Sequence, residues 1–197
     1  MIVKILVLVL ALCVASSACT DDPASVLPTV SPAPSESATP ATVPGQDTPE
    51  PNALEPNAIV ERVVDGDTII VEVNGQRERV RLLGIDTPES VAQNRPDQCY
   101  GAESSTYLTA LLPEGTEVAL VLDEEARDQY DRLLAYVVRT SDDLFINLDL
   151  LEQGYAGVLI YDPNDHYESL FRAAERTAED ADVGLWGVCG GPDVPLE

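Results

Sequence analysis

Val63-Val64-Asp65-Gly66-Asp67-Thr68 opens a stretch that continues through Asn74-Gly75 to Arg81-Leu82-Leu83-Gly84-Ile85-Asp86-Thr87-Pro88-Glu89. Asn74-Gly75 sits between alternating apolar runs. A type I′ turn needs positive φ at both central residues, and Asn-Gly supplies it at little steric cost. A two-residue loop at that point sets Val73 opposite Gln76. Counting back, Glu72 meets Arg77, Ile69 meets Val80 and Thr68 meets Arg81. An opposite-charge pair and an apolar pair both suit cross-strand neighbours. Arg81 then lands one residue from Asp67. Strict alternation would send those two side chains to opposite faces, so a bulge or strong twist is needed at that end of the hairpin.

Working outward, strands are predicted near 58–64, 68–74, 76–83, 116–122 and 132–139. Helices are predicted near 100–112, 146–154 and 164–182. Strands come first and helices later, which suggests an α+β fold in one compact domain over 57–190. Residues 191–197 read as a short tail.

The chain begins Met-Ile-Val-Lys4, followed by an uncharged apolar run from Ile5 to Ala18. That run is short for a bilayer span, which takes about 20 residues. A basic start, an apolar core and small residues before a cysteine read as a secretory signal over 1–19. Ser17-Ala18-Cys19 looks like a bacterial lipobox, which implies lipidation of Cys19, although Ser16 stands where an aliphatic residue is usual. The chain is expected to be exported to the outer face of the membrane, or secreted if cleavage is ordinary. Residues 20–56 hold nine of the fifteen prolines among Ser, Thr and Ala. Such a segment buries too little apolar surface to offset its ordering entropy and reads as a disordered linker.

Cys13 falls in the signal and Cys19 is the lipid candidate, leaving Cys99 and Cys189. An even pair in an oxidising compartment points to a disulfide. Zinc is the rival reading, but two cysteines and the single His166 make a poor zinc set.

Charge argues against nucleic acid. Residues 57–190 carry 27 Asp and Glu against 10 Arg, leaving 17 negative charges, and Lys4 is the only lysine. Nucleic-acid binders usually show a basic face. An acidic, soluble exterior or salt adaptation accounts for such a balance.

The chemistry-bearing motifs are individually weak. Asp-Gly is most often a turn. Thr87-Pro88-Glu89 also fits a helix start, with Thr87 as N-cap. Arg81 and Arg132 each fit solvated strand charges. Together, in this order and spacing, and with Tyr130-Asp131-Arg132, they are specific. The chain resembles the staphylococcal nuclease (thermonuclease) family over about residues 57–190.

That resemblance implies a five-stranded oligonucleotide-binding-type β-barrel with about three helices. It also implies Ca²⁺-dependent endonucleolytic hydrolysis of DNA or RNA to 3′-phosphate products. Asp67, Asp86 and the Thr87 carbonyl would supply oxygen ligands for Ca²⁺; the ligand chemistry alone also admits Mg²⁺. Asp65 would shape the loop or support the ligands. Arg81 and Arg132 would grip phosphate through the planar guanidinium fork. Glu89 falls at the general-base position. Tyr130 and Tyr161 would line the nucleotide site. The family's second pocket tyrosine falls on Leu159, its lysine before Tyr130 on Gln129, and a basic residue near Tyr161 on Asp162. These departures weaken the grip on polynucleotide and leave the catalytic set whole. The alternative is a non-catalytic module on the same fold, binding nucleic acid or another envelope ligand. A monomer is expected. His166 reads as a surface residue and Trp186, in Gly-Leu-Trp-Gly, as a core anchor.

Overall fold

The structure is a computed structural model and describes residues 54–90 and 98–196. The signal, Cys19 and nearly all of the linker therefore lie outside the described residues. The described part belongs to one compact unit.

The order is β1 (Ala58–Asp65), β2 (Thr68–Val73), β3 (Gln76–Leu82), β4 (Ile85–Asp86), α1 (Gly101–Leu111), β5 (Glu117–Val121), β6 (Leu133–Arg139), β7 (Leu144–Phe145), α2 (Ile146–Glu152), β8 (Gly157–Val158), α3 (Glu168–Asp180) and α4 (Leu185–Cys189). The main sheet runs β3-β2-β1-β5-β6-β7, and β3 also pairs with β6. That second pairing is parallel, Val80 with Leu133 through Leu82 with Ala135. It closes β1, β2, β3, β5 and β6 into a five-stranded barrel, which leaves these strands no open edge. The expected α+β barrel is the observed fold, with four helices among the described residues rather than about three.

The hairpin has the register that its turn dictates, from Val73–Gln76 back to Thr68–Arg81. Asn74 and Gly75 have φ of 51° and 76°. Inward residues Ile69, Val71, Val80 and Leu82 join Val60, Val118, Leu120, Ala135 and Val137 in the core. Leu108 and Leu112, Ile146 and Leu150, and Phe171 cover that core from the helical side. Each such side chain contributes about 1.5–3 kcal/mol when fully buried. The outward residues of β1, β2 and β3 form three cross-strand rows: Ile59–Glu72–Arg77, Arg62–Ile70–Arg79 and Asp65–Thr68–Arg81.

Three expectations change. Thr87–Glu89 carries no regular secondary structure and starts no helix, and α1 begins only at Gly101. The third helix begins at Glu168, not near 164, because residues 161–165 form turns: Asn164 N–H donates to the Tyr161 carbonyl and Asp165 N–H to that of Pro163. The Asn164 side chain is committed there as well, bonding both the N–H and the carbonyl of Glu125. Trp186 is not in the core; its neighbour Leu185 is fully buried, while Trp186 is half-buried and its indole N–H has no partner.

Candidate active site

Gly66 and Asp67 make the two-residue turn between β1 and β2. Asp67 is therefore freed from strand alternation, which answers the face problem posed by the hairpin count. Its carbonyl still accepts from Leu82 N–H at 2.9 Å, so it stays level with the end of β3. A register shift in β1 between Val63 and Asp65 adjoins the turn. The turn also demands glycine. A Cβ on Gly66 would stand 2.5 Å from Thr87 Oγ1 and 2.9 Å from Thr87 Cβ, so any side chain there would push away the Asp86–Thr87 segment.

β4 pairs with β8, Ile85 with Val158 and Asp86 with Gly157, which fixes Asp86 beside the hairpin. Arg81 then reaches both carboxylates through one nitrogen. Its Nη2 lies 3.0 Å from Asp67 Oδ2 and 2.6 Å from Asp86 Oδ1. Its Nη1 donates to the carbonyls of Leu82 and Ile85 at 2.7 and 2.8 Å. Asp67 is held further by Thr68 Oγ1 and by the backbone N–H of the buried Thr87. Asp65 accepts from Gly66 N–H and from the Ser90 hydroxyl, so it shapes the loop.

The electrostatics show too little positive charge for these acids. Burial pushes the Asp86 carboxyl up to about 6; Arg81 opposes that rise, and the nearby Asp67 carboxylate adds to it. Glu89 is exposed, yet partial desolvation of its carboxyl, followed by the Asp65 carboxylate beside it, raises it above the ordinary range. Its backbone N–H is held by the Gln98 side chain at 2.7 Å. Close to that contact, Cys99 and Cys189 form a disulfide across 90 residues of sequence.

Among the described residues no three or more His, Cys, Asp and Glu side chains gather as a metal cluster. The donor set that does converge is two carboxylates with oxygens on one point, next to the Thr87 backbone. Oxygen-only donors with surplus negative charge fit a hard cation such as Ca²⁺ or Mg²⁺ and not zinc.

Arg132 is built separately. It lies one residue before Leu133, the partner of Val80, just ahead of the parallel pairing of β3 with β6. Its Nε donates to Asp128 Oδ2 at 2.6 Å, and Asp128 Oδ1 also accepts from the N–H groups of Tyr130 and Arg132. This clamp was missed in the sequence; the signal for it is an Asp four residues before the arginine with an intervening turn, the usual setting for a side chain that bonds its own backbone. Tyr130 is 73% exposed, with the Arg132 guanidinium 5.7 Å from its ring centre. Tyr161 is 69% exposed. The structure thus joins Asp67, Arg81, Asp86 and Thr87 by direct contact and sets Glu89 against Asp65. It shows no contact from Arg132, Tyr130 or Tyr161 to that group. His166 is exposed, as its polar surroundings suggested.

Comparison with known proteins agrees with this arrangement. The family described as "Staphylococcal nuclease homologue" matches residues 79–188. The thermonuclease of Staphylococcus intermedius is 43% identical over 128 residues, covering 65% of this chain and 74% of that protein. The thermonuclease of Staphylococcus hyicus is 37% identical over 135 residues, 68% of this chain and 78% of that protein. Endonuclease YncB of Bacillus subtilis is 38% identical over 136 residues, 68% and 63% of the two chains. With a closed five-stranded barrel, an acid–arginine group at one end of its first hairpin and these relatives, the chain belongs to the staphylococcal nuclease family and is a nuclease.

Proposed function

We propose that the protein hydrolyses phosphodiester bonds of DNA or RNA in a Ca²⁺-dependent reaction that leaves 3′-phosphates. The observation that carries this reading is the shared Arg81 nitrogen between Asp67 and Asp86, next to Thr87. Asp67, Asp86 and the Thr87 carbonyl would hold the ion, which when bound supplies charge neutralisation at the phosphoryl oxygens. Carboxylates and carbonyls hold Arg81 in place, and an ion that drew Asp67 and Asp86 to itself would leave its Nη2 as an oriented donor for phosphate. Arg132 offers its remaining guanidinium N–H groups to a second oxygen. Glu89, with its raised affinity for protons, would take the proton from the attacking water.

The test is cleavage of single-stranded DNA by wild type and Glu89→Gln with the products end-labelled. Ca²⁺-dependent cleavage to 3′-phosphates, lost in the variant, supports the reading. Specific binding without cleavage at any Ca²⁺ concentration would favour a binding module instead.

We also propose export and lipid attachment at Cys19, supported by the apolar run and Ser17-Ala18-Cys19. Mass spectrometry of the N-terminal peptide would decide between a diacylglyceryl cysteine and a free, cleaved end.

A further inference from the structure

An acidic nuclease must still hold a polyanion, so its unneutralised arginines are informative. Six of the nine described arginines (77, 81, 127, 132, 139 and 172) have a carboxylate within ion-pair distance. Among the described residues Arg62, Arg79 and Arg176 have none. Arg62 and Arg79 are not scattered. Arg62 is opposite Ile70, and Ile70 is opposite Arg79, so the two exposed arginines flank one outward isoleucine in a single row.

That row has a definite place. On β2 and β3 it is two residues from Asp65–Thr68–Arg81, a separation of about 7 Å, and on β1 the register shift makes it three. At its β3 end, Arg79 lies one residue before Val80, as Arg132 lies one residue before Leu133, the parallel partner of Val80. Ile70 faces outward yet is only 8% exposed, as an apolar residue is when long arginine stems lie over it and carry their heads into water. The acids nearby are accounted for in part: Glu61 is tied to Arg77, and Glu78, on the inward side of β3, takes both terminal nitrogens of Arg127. Asp65 stands in the catalytic row. Glu72 and Glu117, both in the row beyond, have no ion-pair partner among the described residues.

We infer that the Arg62–Ile70–Arg79 row is a backbone-binding track for single-stranded nucleic acid. It would hold two phosphates of the strand beyond the nucleotide bound at Arg81 and Arg132. This rests on the nuclease reading and extends it from one phosphate to a strand. Two exposed guanidinium groups at fixed spacing suit phosphate, because each presents a planar fork and neither must first break an ion pair. The absence of lysine after Lys4 and the departures at Gln129, Leu159 and Asp162 leave this row as a main source of grip beyond the catalytic group.

The test is direct binding of a fluorescent oligothymidylate of about ten nucleotides, and of thymidine 3′,5′-bisphosphate, at saturating Ca²⁺. Both are measured with Glu89→Gln protein to suppress cleavage. Three proteins are compared: that background alone, with Arg62→Ala/Arg79→Ala added, and with Arg172→Ala/Arg176→Ala added. The last pair removes the same charge from α3. The track predicts that the Arg62/Arg79 change weakens oligonucleotide binding roughly tenfold, several times more than the α3 change, and weakens the bisphosphate much less. It also predicts a salt dependence shallower by about 1.4 in log K against log salt, for two lost single-strand phosphate contacts. Equal losses in both double variants would overturn the track, leaving a general charge effect. Equal losses for oligonucleotide and bisphosphate would overturn it too. No binding of either ligand by the background protein would instead sink the nuclease reading itself.

Discussion

The carboxylate end of the site and its aromatic end are built differently. At the carboxylate end Arg81 and Asp67 are 13% and 12% exposed, and each is held from several directions. At the aromatic end Tyr130 and Tyr161 project from turns into solvent, and Arg132 leans on a single acid. The first region has the positional rigidity that transition-state stabilisation requires, since donors must already be in place when charge develops. The second has the openness of a surface that accepts different bases. The sequence departures at Gln129, Leu159 and Asp162 all fall at the aromatic end. Chemistry and grip are thus separable here, and the substitutions that follow should pull them apart.

The largest expected effect is on stability. The Cys99–Cys189 bridge joins the approach to α1, next to the Gln98 that holds Glu89, to the end of α4. Closing a loop of 90 residues is worth on the order of 4–5 kcal/mol in the loop-entropy picture. Cys99→Ser/Cys189→Ser should lower the denaturation midpoint by a corresponding amount without abolishing activity in the folded fraction. An unchanged midpoint would mean that the bridge is incidental.

Next come the catalytic groups. Arg81→Lys keeps charge but loses the two-pronged reach to carbonyl and carboxylate, and Glu89→Gln keeps size but loses the base. Arg132→Lys loses its fork. Each should lower kcat by at least ~10²-fold with the fold intact. Near-normal turnover in all three would break the assignment of the carboxylate end. At the aromatic end, Tyr130→Ala and Tyr161→Ala should act on KM instead. A stacked base is worth roughly 1–3 kcal/mol, and such exposed rings belong at the low end, so about tenfold in KM with little change in kcat. A loss in kcat as large as that of Glu89→Gln would erase the contrast between the two ends.

A smaller effect is expected with pH. Asp86 has its carboxyl raised to about 6. In the metal-free protein the stability tied to its proton is fully present below the ordinary carboxylate range and is lost as pH rises through 6. Above 6 the half-buried anion is only partly compensated by Arg81, and a cation relieves it. Calcium should therefore raise Tm more at pH 7 than at pH 5, and its affinity should fall by up to about tenfold per pH unit below 6. A Ca²⁺-induced Tm shift of the same size at both values would remove Asp86 from the ligand set.

Much of the carboxylate end was legible because it is local. Asn74-Gly75 fixed the hairpin register, and register placed Arg81 beside Asp67. The turn geometry that freed the Asp67 side chain was not legible, since it depends on Gly66 tolerating Thr87 from another segment. The parallel β3–β6 pairing was invisible for a related reason: no local signal encodes a contact between Arg81 and Leu134. Asp128 was hidden by composition, one acid among many, although its position before Tyr130 and Arg132 carried the clue. Helix α3 read too long because Asn164, which suits a helix start by sequence, is spent on Glu125. Trp186 misled through size alone; Leu185 beside it fills the core.

The central claim is that the Asp67–Arg81–Asp86 group with Glu89 is a working, Ca²⁺-dependent phosphodiesterase site despite 17 surplus negative charges over residues 57–190. The direct measurement is the initial rate of single-stranded DNA cleavage by the purified protein across a Ca²⁺ titration. Wild type and Asp86→Ala should be run side by side, with chelator as the zero point. The account predicts no cleavage in chelator, a saturable rise with Ca²⁺ in wild type and loss of most of that rise in Asp86→Ala. Full-rate cleavage in chelator, or an Asp86→Ala titration that overlays wild type, would contradict it.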